Sequence, residues 1–107
     1  MERMPMTSVN SGGWVKFRFY RLGACHVAVA GDFNDWCTSP LCALPMSPAG
    51  NGWWTADAHF EPGEYRFKYV ADGVWYTDYA SNGIDPCKHG ANSILVVPER
   101  QRVRMVA

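Results

Sequence analysis

The stretch that decides the fold of this chain is residues 64–75, with the sequence EYRFKYVADGVW. Its first half alternates aromatic and charged residues, which is the period of a β-strand with one buried and one solvated face. An all-β domain is therefore the starting prediction. The residues predicted to point inward are Tyr65, Phe67 and Tyr69, and those predicted to point outward are Glu64, Arg66 and Lys68.

The Asp72-Gly73 pair after this strand is a strong signal for a two-residue hairpin turn. Cross-strand partners share a face, so the turn also predicts which side chains lie together. The predicted pairs are Ala71 with Val74, Val70 with Trp75, and Lys68 with Thr77, which places Lys68, Val70, Trp75 and Thr77 on one outward side.

The rest of the chain also alternates with period two, and no long window shows helical spacing. About seven short strands separated by turn signals predict an immunoglobulin-like (early-set) β-sandwich, with a small barrel as the alternative. In the predicted strand 53–60, Trp54 alternates in step with the apolar residues Ala56, Ala58 and Phe60, so Trp54 is predicted to point inward and Trp53 outward. The other predicted strands are 14–20, 24–30, a short edge strand around 41–46, 64–70 and 93–97, with loops at 32–36 and 78–91.

Size and charge limit the classes of function. The 107 residues fit one domain, residues 1–107, with a core at about 14–97 and flexible termini at 1–12 and 99–107. The formal net charge is zero, which argues against nucleic acid and against an anionic membrane as partners. No signal peptide or membrane-spanning run is recognisable, so a cytoplasmic location is expected.

The four cysteines show no Cys-x-x-Cys pair. In a reducing compartment they are expected to be small buried apolar residues. A zinc site that uses His26 beside Cys25 and His89 near Cys87 is the alternative, but its spacing matches no familiar structural site. We expect no metal and no cofactor.

The sequence does not predict an enzyme. A glycosidase needs two carboxylates that flank a cleft, and the aspartates here fall in predicted loops and turns, where aspartate commonly stabilises the turn itself. There is no Gly-x-Ser-x-Gly elbow and no glycine-rich phosphate loop. The aspartates concerned are Asp32, Asp35, Asp72, Asp78 and Asp85.

Residues 31–36, GDFNDW, and residues 62–75, PGEYRFKYVADGVW, resemble the family 48 carbohydrate-binding modules. This family includes the glycogen-binding domain of the AMP-activated protein kinase β subunit and the early-set domains of isoamylases. The resemblance runs from about Val15 to Val97 and implies a sandwich that binds α-1,4-linked glucans such as glycogen or starch without catalysis.

The same resemblance implies the site residues. Trp36 and Trp75 match the tryptophans that stack on glucose rings, and Lys68 and Asn92 match the residues that hydrogen-bond sugar hydroxyls. Stacking is physically reasonable because the C–H groups of glucose form an apolar patch against a rigid aromatic face. Residues 88–91, KHGA, differ from the family, which has an apolar residue and a threonine there.

Two hypotheses follow. In the first, the chain is a non-catalytic module for α-glucan such as glycogen, starch or maltooligosaccharide, with Trp53 as a possible additional platform. In the second, it is a protein-interaction or regulatory domain that associates with a glucan-metabolising enzyme and does not itself bind glycan. The second would use Trp53 or the arginine-bearing tail at 100–104.

Overall fold

The computed structural model of the chain describes residues 7–10, 12–79, 81–87 and 90–99. Two antiparallel sheets pack face to face, which confirms the predicted β-sandwich. The described residues contain no helix long and apolar enough to span a membrane. The strands are β1 (Thr7–Val9), β2 (Trp14–Tyr20), β3 (Val27–Gly31), β4 (Leu44–Pro45), β5 (Ser47–Gly50), β6 (Trp53–His59), β7 (Gly63–Ala71), β8 (Val74–Tyr76), β9 (Ile84–Cys87) and β10 (Gly90–Val97). A 3₁₀ turn covers Asp32–Asn34.

The first sheet has the strand order β1-β2-β6-β5. β2 and β6 pair along their whole length, from Trp14 opposite His59 to Tyr20 opposite Trp53. Alternate residues of β2 are buried, as its sequence period predicts. Trp54 is 8% exposed and points into the core, whereas Trp53 is only half-buried and points outward, as predicted.

The second sheet has the order β4-β3-β7-β10-β9, and β8 pairs with β7. β7 is the central strand. β3 pairs with it on one side, from Val27 opposite Ala71 to Gly31 opposite Phe67. On its other side, β7 pairs with β10 along its first half, from Gly63 to Phe67, and with β8 along its second half, from Tyr69 to Ala71. This arrangement brings β8 and the start of β10 together beside the C-terminal half of β7.

An aromatic cluster fills the space between the sheets. Phe17 of the first sheet contacts Phe67 and Tyr69 of the second, with ring centroids 5.3 and 6.5 Å apart, and all three are fully buried. Burial of large aromatic side chains is the main source of stability in a core of this size. Other members of the core are Val15, Phe19, Val27, Val29, Trp54, Phe60, Leu95 and Val97.

Several short strands escaped prediction. Thr7–Val9 pairs with β2 although we expected residues 1–12 to be a flexible terminus. Ser47–Gly50 and Ile84–Cys87 also form strands, the latter inside the predicted loop at 78–91. Such strands are held by a neighbouring strand rather than by local preference, so proline and glycine did not prevent them. The predicted flexibility of residues 1–6 and 100–107 lies outside the described residues.

The expectation about cysteines is wrong. Cys37 and Cys42 form a disulfide with their Cα atoms 5.8 Å apart. Cys25 and Cys87 are free, and both are exposed. The four residues lie in loops or at a strand end, where no core is available to bury them.

Candidate functional site

The hairpin between β7 and β8 carries Trp75. Asp72 and Gly73 form its turn with φ of 48° and 81°, the left-handed backbone that a type I′ turn requires. Ala71 pairs with Val74 and Val70 pairs with Trp75, as predicted. The predicted pairing of Lys68 with Thr77 is wrong, because β8 ends at Tyr76. The Thr77 hydroxyl instead donates a 2.6 Å hydrogen bond to the Ala91 carbonyl and ties the hairpin to β10.

The Asp72 carboxylate anchors this hairpin to the loop before β3. It accepts hydrogen bonds from the backbone N–H groups of Cys25, at 3.0 Å, and His26, at 2.9 Å. Its own backbone N–H donates to the His26 carbonyl. These bonds favour the ionised carboxylate, so first Cys25 and then His26 lower the pKa of Asp72 below its ordinary value.

The loop between β3 and β4 carries Trp36. Asp35 and Trp36 both have left-handed backbones, with φ of 54° and 56°, a conformation that is uncommon for a bulky residue. The Trp36 N–H donates to the Gly31 carbonyl at 2.8 Å, which curls the loop back toward β3. The Asn34 side chain holds the inside of the curl by accepting from the Gly31 N–H and donating to the Val29 and Cys42 carbonyls.

These two elements bring Trp36 and Trp75 together. Their ring centroids lie 6.4 Å apart with an interplanar angle of 53°. Trp75 is 43% exposed and Trp36 is half-buried, so neither indole belongs to the core. We call these two residues the tryptophan pair. Their rings are not coplanar, and together they form a bent aromatic surface.

Lys68 and Asn92 lie beside the tryptophan pair on the outer face of the second sheet. Lys68 is opposite Ala30 of β3. It lies two residues before Val70 on β7, so its side chain is on the same side of the sheet as Val70 and as Trp75, the cross-strand partner of Val70. Because Ser93 is opposite Phe67, Asn92 neighbours Lys68 across the β7–β10 contact. The sheet therefore gathers residues from three separate parts of the chain: the loop at Trp36, the β7–β8 hairpin, and the start of β10.

The Lys68 ammonium points toward the start of β10, since a Cβ built on Gly90 would lie 3.7 Å from its Nζ atom. Within the described part of the chain this ammonium has no ion-pair or hydrogen-bond partner. Arg66 on the same face differs, because it forms ion pairs with Glu64 and Asp85. The hydrogen bond to Asp85 is the main cause that raises the pKa of Arg66. Among the described residues, the Lys68 ammonium therefore differs from the Arg66 guanidinium in having donors that no side chain or backbone group occupies.

Asn92 is half-buried, and its Oδ1 atom accepts a weak contact from the Cys87 thiol at 3.7 Å. Among the described residues its Nδ2 group has no hydrogen-bond partner, so this amide can donate to a ligand. Gly90 has φ of 122°, a conformation that favours glycine. The neighbouring Lys88 and His89, part of the segment that differs from the family, lie outside the described residues.

A cavity of about 580 Å³ adjoins the site. It lies between the loop that follows Trp36, at Thr38 and Pro40, and the hairpin turn, at Asp72 and Gly73. Its lining is mostly apolar. Val70, the cross-strand partner of Trp75, belongs to the lining, whereas neither tryptophan of the pair does.

Trp53 lies on the other sheet and does not join this group. Tyr20 packs edge-on against its ring at 5.3 Å, and the Arg18 guanidinium lies 4.9 Å from its centroid. Arg18 thus covers one ring face by a cation–π contact. This makes Trp53 a poorer stacking platform than Trp75.

Sequence reasoning missed the residues that position the tryptophan pair. Asn34 and Asp72 were interpreted only as loop and turn residues, although both types readily bond to backbone groups. The contact of Asp72 with Cys25 and His26 joins segments 46 or more residues apart. No local pattern signals such a contact.

Comparison with known proteins decides the family. A family model of the glycogen recognition site of AMP-activated protein kinase matches residues 15–102. The chain belongs to this family. It is therefore a carbohydrate-binding module, as the sequence resemblance predicted. The family consists of binding domains rather than catalytic ones.

Solved structures share its fold. A candidate alpha amylase from Salmonella typhimurium matches 92% of the module with a TM-score of 0.65 and 23% identity. The module spans only 15% of that chain, so the likeness concerns this domain alone. No curated protein sequence matches the module significantly.

Proposed function

We propose that this module binds α-1,4-linked glucans, such as glycogen and starch, at the tryptophan pair, and has no catalytic activity of its own. The observation that carries the proposal is the 6.4 Å separation of the ring centroids of two partly exposed indoles, one from the β3–β4 loop and one from strand β8, beside Lys68, which has no ion-pair partner among the described residues. An α-1,4-glucan curves, and a bent pair of rings can contact successive glucose units of a curved chain.

Lys68 and Asn92 would orient the sugar in this proposal. The ammonium and the amide both present donors next to the indoles, and hydroxyl-rich ligands require such donors for specificity. The cavity of about 580 Å³ beside the hairpin turn offers space for further glucose units of the bound glucan. With these few anchors the dissociation constant should lie on the order of 10 µM to 1 mM.

The aspartates support the non-catalytic part of the proposal. Asp72 binds two backbone N–H groups, Asp85 pairs with Arg66, and Asp78 is fully buried and contacts the Tyr69 hydroxyl. Each has a structural role. They are not a pair of carboxylates across a cleft, as glycoside hydrolysis requires.

Isothermal titration with maltoheptaose, together with affinity electrophoresis in glycogen gels, tests the proposal. Trp75→Ala should weaken binding about tenfold, the equivalent of about 1.4 kcal/mol of stacking. Trp14→Ala is the matched control, because Trp14 is 52% exposed but lies on the first sheet. Equal affinity of wild type and Trp75→Ala, or no retardation of wild type by any glucan, would refute the proposal.

The alternative function, a protein-interaction domain, has one observation in its favour. The outer face of the first sheet carries Trp14 and Tyr20, 52% and 46% exposed, near Arg18 and Trp53. Aromatic and arginine residues are enriched in protein interfaces. Under that alternative, Tyr20→Ala would abolish capture of a glucan-metabolising enzyme while leaving maltoheptaose binding unchanged.

A further inference from the structure

The Trp36 loop has a covalent closure. The disulfide joins Cys37, the residue directly after Trp36, to Cys42 across a sequence separation of 5. On the other side of Trp36, Asn34 bonds to backbone groups at both ends of the same loop, since it reaches Gly31 and the Cys42 carbonyl. The disulfide and Asn34 therefore meet at Cys42.

This closure acts where the backbone most needs support. Asp35 and Trp36 are consecutive left-handed residues, and such conformations persist only when surrounding contacts enforce them. Two backbone hydrogen bonds hold one side of the turn. The Trp36 N–H donates to the Gly31 carbonyl at 2.8 Å, and the Cys37 N–H donates to the Asn34 carbonyl at 3.1 Å. The disulfide restrains the other side, so opening it frees Cys37 and permits Trp36 to relax.

We propose that the Cys37–Cys42 disulfide is a positioning device for Trp36 and makes glucan binding by this module sensitive to thiol reduction. The inference rests on the proposed glucan site. In the disulfide form Trp36 is held 6.4 Å from Trp75 and the aromatic surface is preorganised. In the dithiol form the loop samples other conformations, and binding must offset the cost of ordering it again.

The exchange reaction needs a dithiol reductant of the thioredoxin or dithiothreitol class. Cys42 is the more exposed partner, so a reductant thiolate attacks its Sγ atom and forms a mixed disulfide, while the Cys37 thiolate leaves and takes a proton. The second reductant thiolate then attacks the mixed disulfide. It releases Cys42, which also takes a proton, and two electrons have passed from the reductant, which leaves as its own disulfide.

Isothermal titration of the full chain with maltoheptaose, with and without dithiothreitol, tests the proposal. Reduction should weaken binding about three- to tenfold, as expected when a preorganised contact becomes flexible. The double variant Cys37→Ser with Cys42→Ser should bind like the reduced protein and should not respond to the reductant. The double variant Cys25→Ser with Cys87→Ser is the matched control, because both residues are free and exposed, and should keep both the affinity and the response.

A second readout does not require a ligand. The indole N–H signal of Trp36 in NMR spectra should shift or broaden on reduction, while that of Trp14 on the first sheet should not. Unchanged Trp36 signals and unchanged affinity after reduction, or free thiols at Cys37 and Cys42 in the oxidised protein by mass spectrometry, would overturn the inference. If the oxidised protein binds no glucan but the Trp36 signal still responds, the proposed function fails while the positioning role of the disulfide stands.

Discussion

At the scale of single residues, the candidate surface depends on side chains that bond to distant backbone. Asn34 organises the loop of Trp36, and Asp72 holds the hairpin of Trp75 against the segment before β3. The polar groups of both residues bond to backbone groups. They determine where the two indoles lie, so the site depends on both.

Asp72→Asn tests whether the ionised carboxylate of Asp72 stabilises the hairpin of Trp75, and the loss of stability that it causes should depend on pH. The pKa of Asp72 in the fold is below its ordinary 3.8, mainly because the Cys25 N–H bonds to it. A carboxylate with a lowered folded pKa stabilises the fold above the unfolded pKa, and this contribution disappears as pH falls through the folded pKa. The variant should therefore melt at a lower temperature than wild type at pH 7, and the difference should shrink below pH 3.8.

Thermal melts followed by circular dichroism from pH 2 to pH 7 measure this difference. Asp57→Asn is the control, because it removes only an exposed ion pair with Lys16 and should change the melting temperature little. A difference between Asp72→Asn and wild type that does not vary with pH would contradict the role of the ionised carboxylate.

At the scale of elements, β3 and β7 approach closely where the Trp36 loop begins. Gly31 is buried and paired with Phe67, and its φ of −166° is ordinary extended backbone. A Cβ at this position would overlap the Arg66 carbonyl oxygen and the ring of Phe33. Crowding, not backbone conformation, therefore requires glycine here.

Gly31→Ala should lower the free energy of unfolding by about 2–3 kcal/mol, as overpacking of a strand contact commonly does. Urea denaturation measures this loss. Gly73→Asn is the control, because Gly73 has φ of 81° and no neighbour within 4 Å. Asparagine tolerates that conformation, so Gly73→Asn should lower the free energy of unfolding by less than about 0.5 kcal/mol. A larger loss for Gly73→Asn than for Gly31→Ala would show that the β3–β7 contact can adjust.

At the scale of the whole molecule, the aromatic core holds the two sheets together. Phe17 contacts Phe60 as well as Phe67 and Tyr69, so one ring joins strands of both sheets. The outer faces of the two sheets then differ. One carries the tryptophan pair with Lys68, and the other carries Trp14, Arg18 and Tyr20.

Phe17→Ala should lower the free energy of unfolding by about 3–5 kcal/mol, because it leaves a cavity between the sheets. That is a large share of the roughly 5–15 kcal/mol typical of a domain. Lys16→Ala, at the neighbouring exposed position, is the control and should cost less than about 1 kcal/mol. Urea midpoints of the two variants that differ by less than the measurement error would contradict the central position of Phe17.

Local chemistry explains which parts of the fold were predictable. The period of two in β2, β6 and β7 and the left-handed turn at Asp72-Gly73 depend on neighbours in sequence, and these elements were predicted within a few residues. β1, β5 and β9 were not, because each is a short strand stabilised by its partner. The cysteine interpretation failed for another reason, because the contact of Cys37 with Cys42 depends on how the loop between them curls.

The sequence by itself determined the sandwich class, the inward and outward faces of its long strands, and the side of the sheet that Lys68 and Trp75 share. These follow from residue spacing and turn type, which act over a few residues. Only the tertiary structure decided that Trp36 meets Trp75, that Asp72 bonds to Cys25 and His26, and that a disulfide closes the Trp36 loop. The first two contacts join separate segments and form only when the packed core brings those segments together. The disulfide lies within one loop and forms only when that loop is folded back on itself.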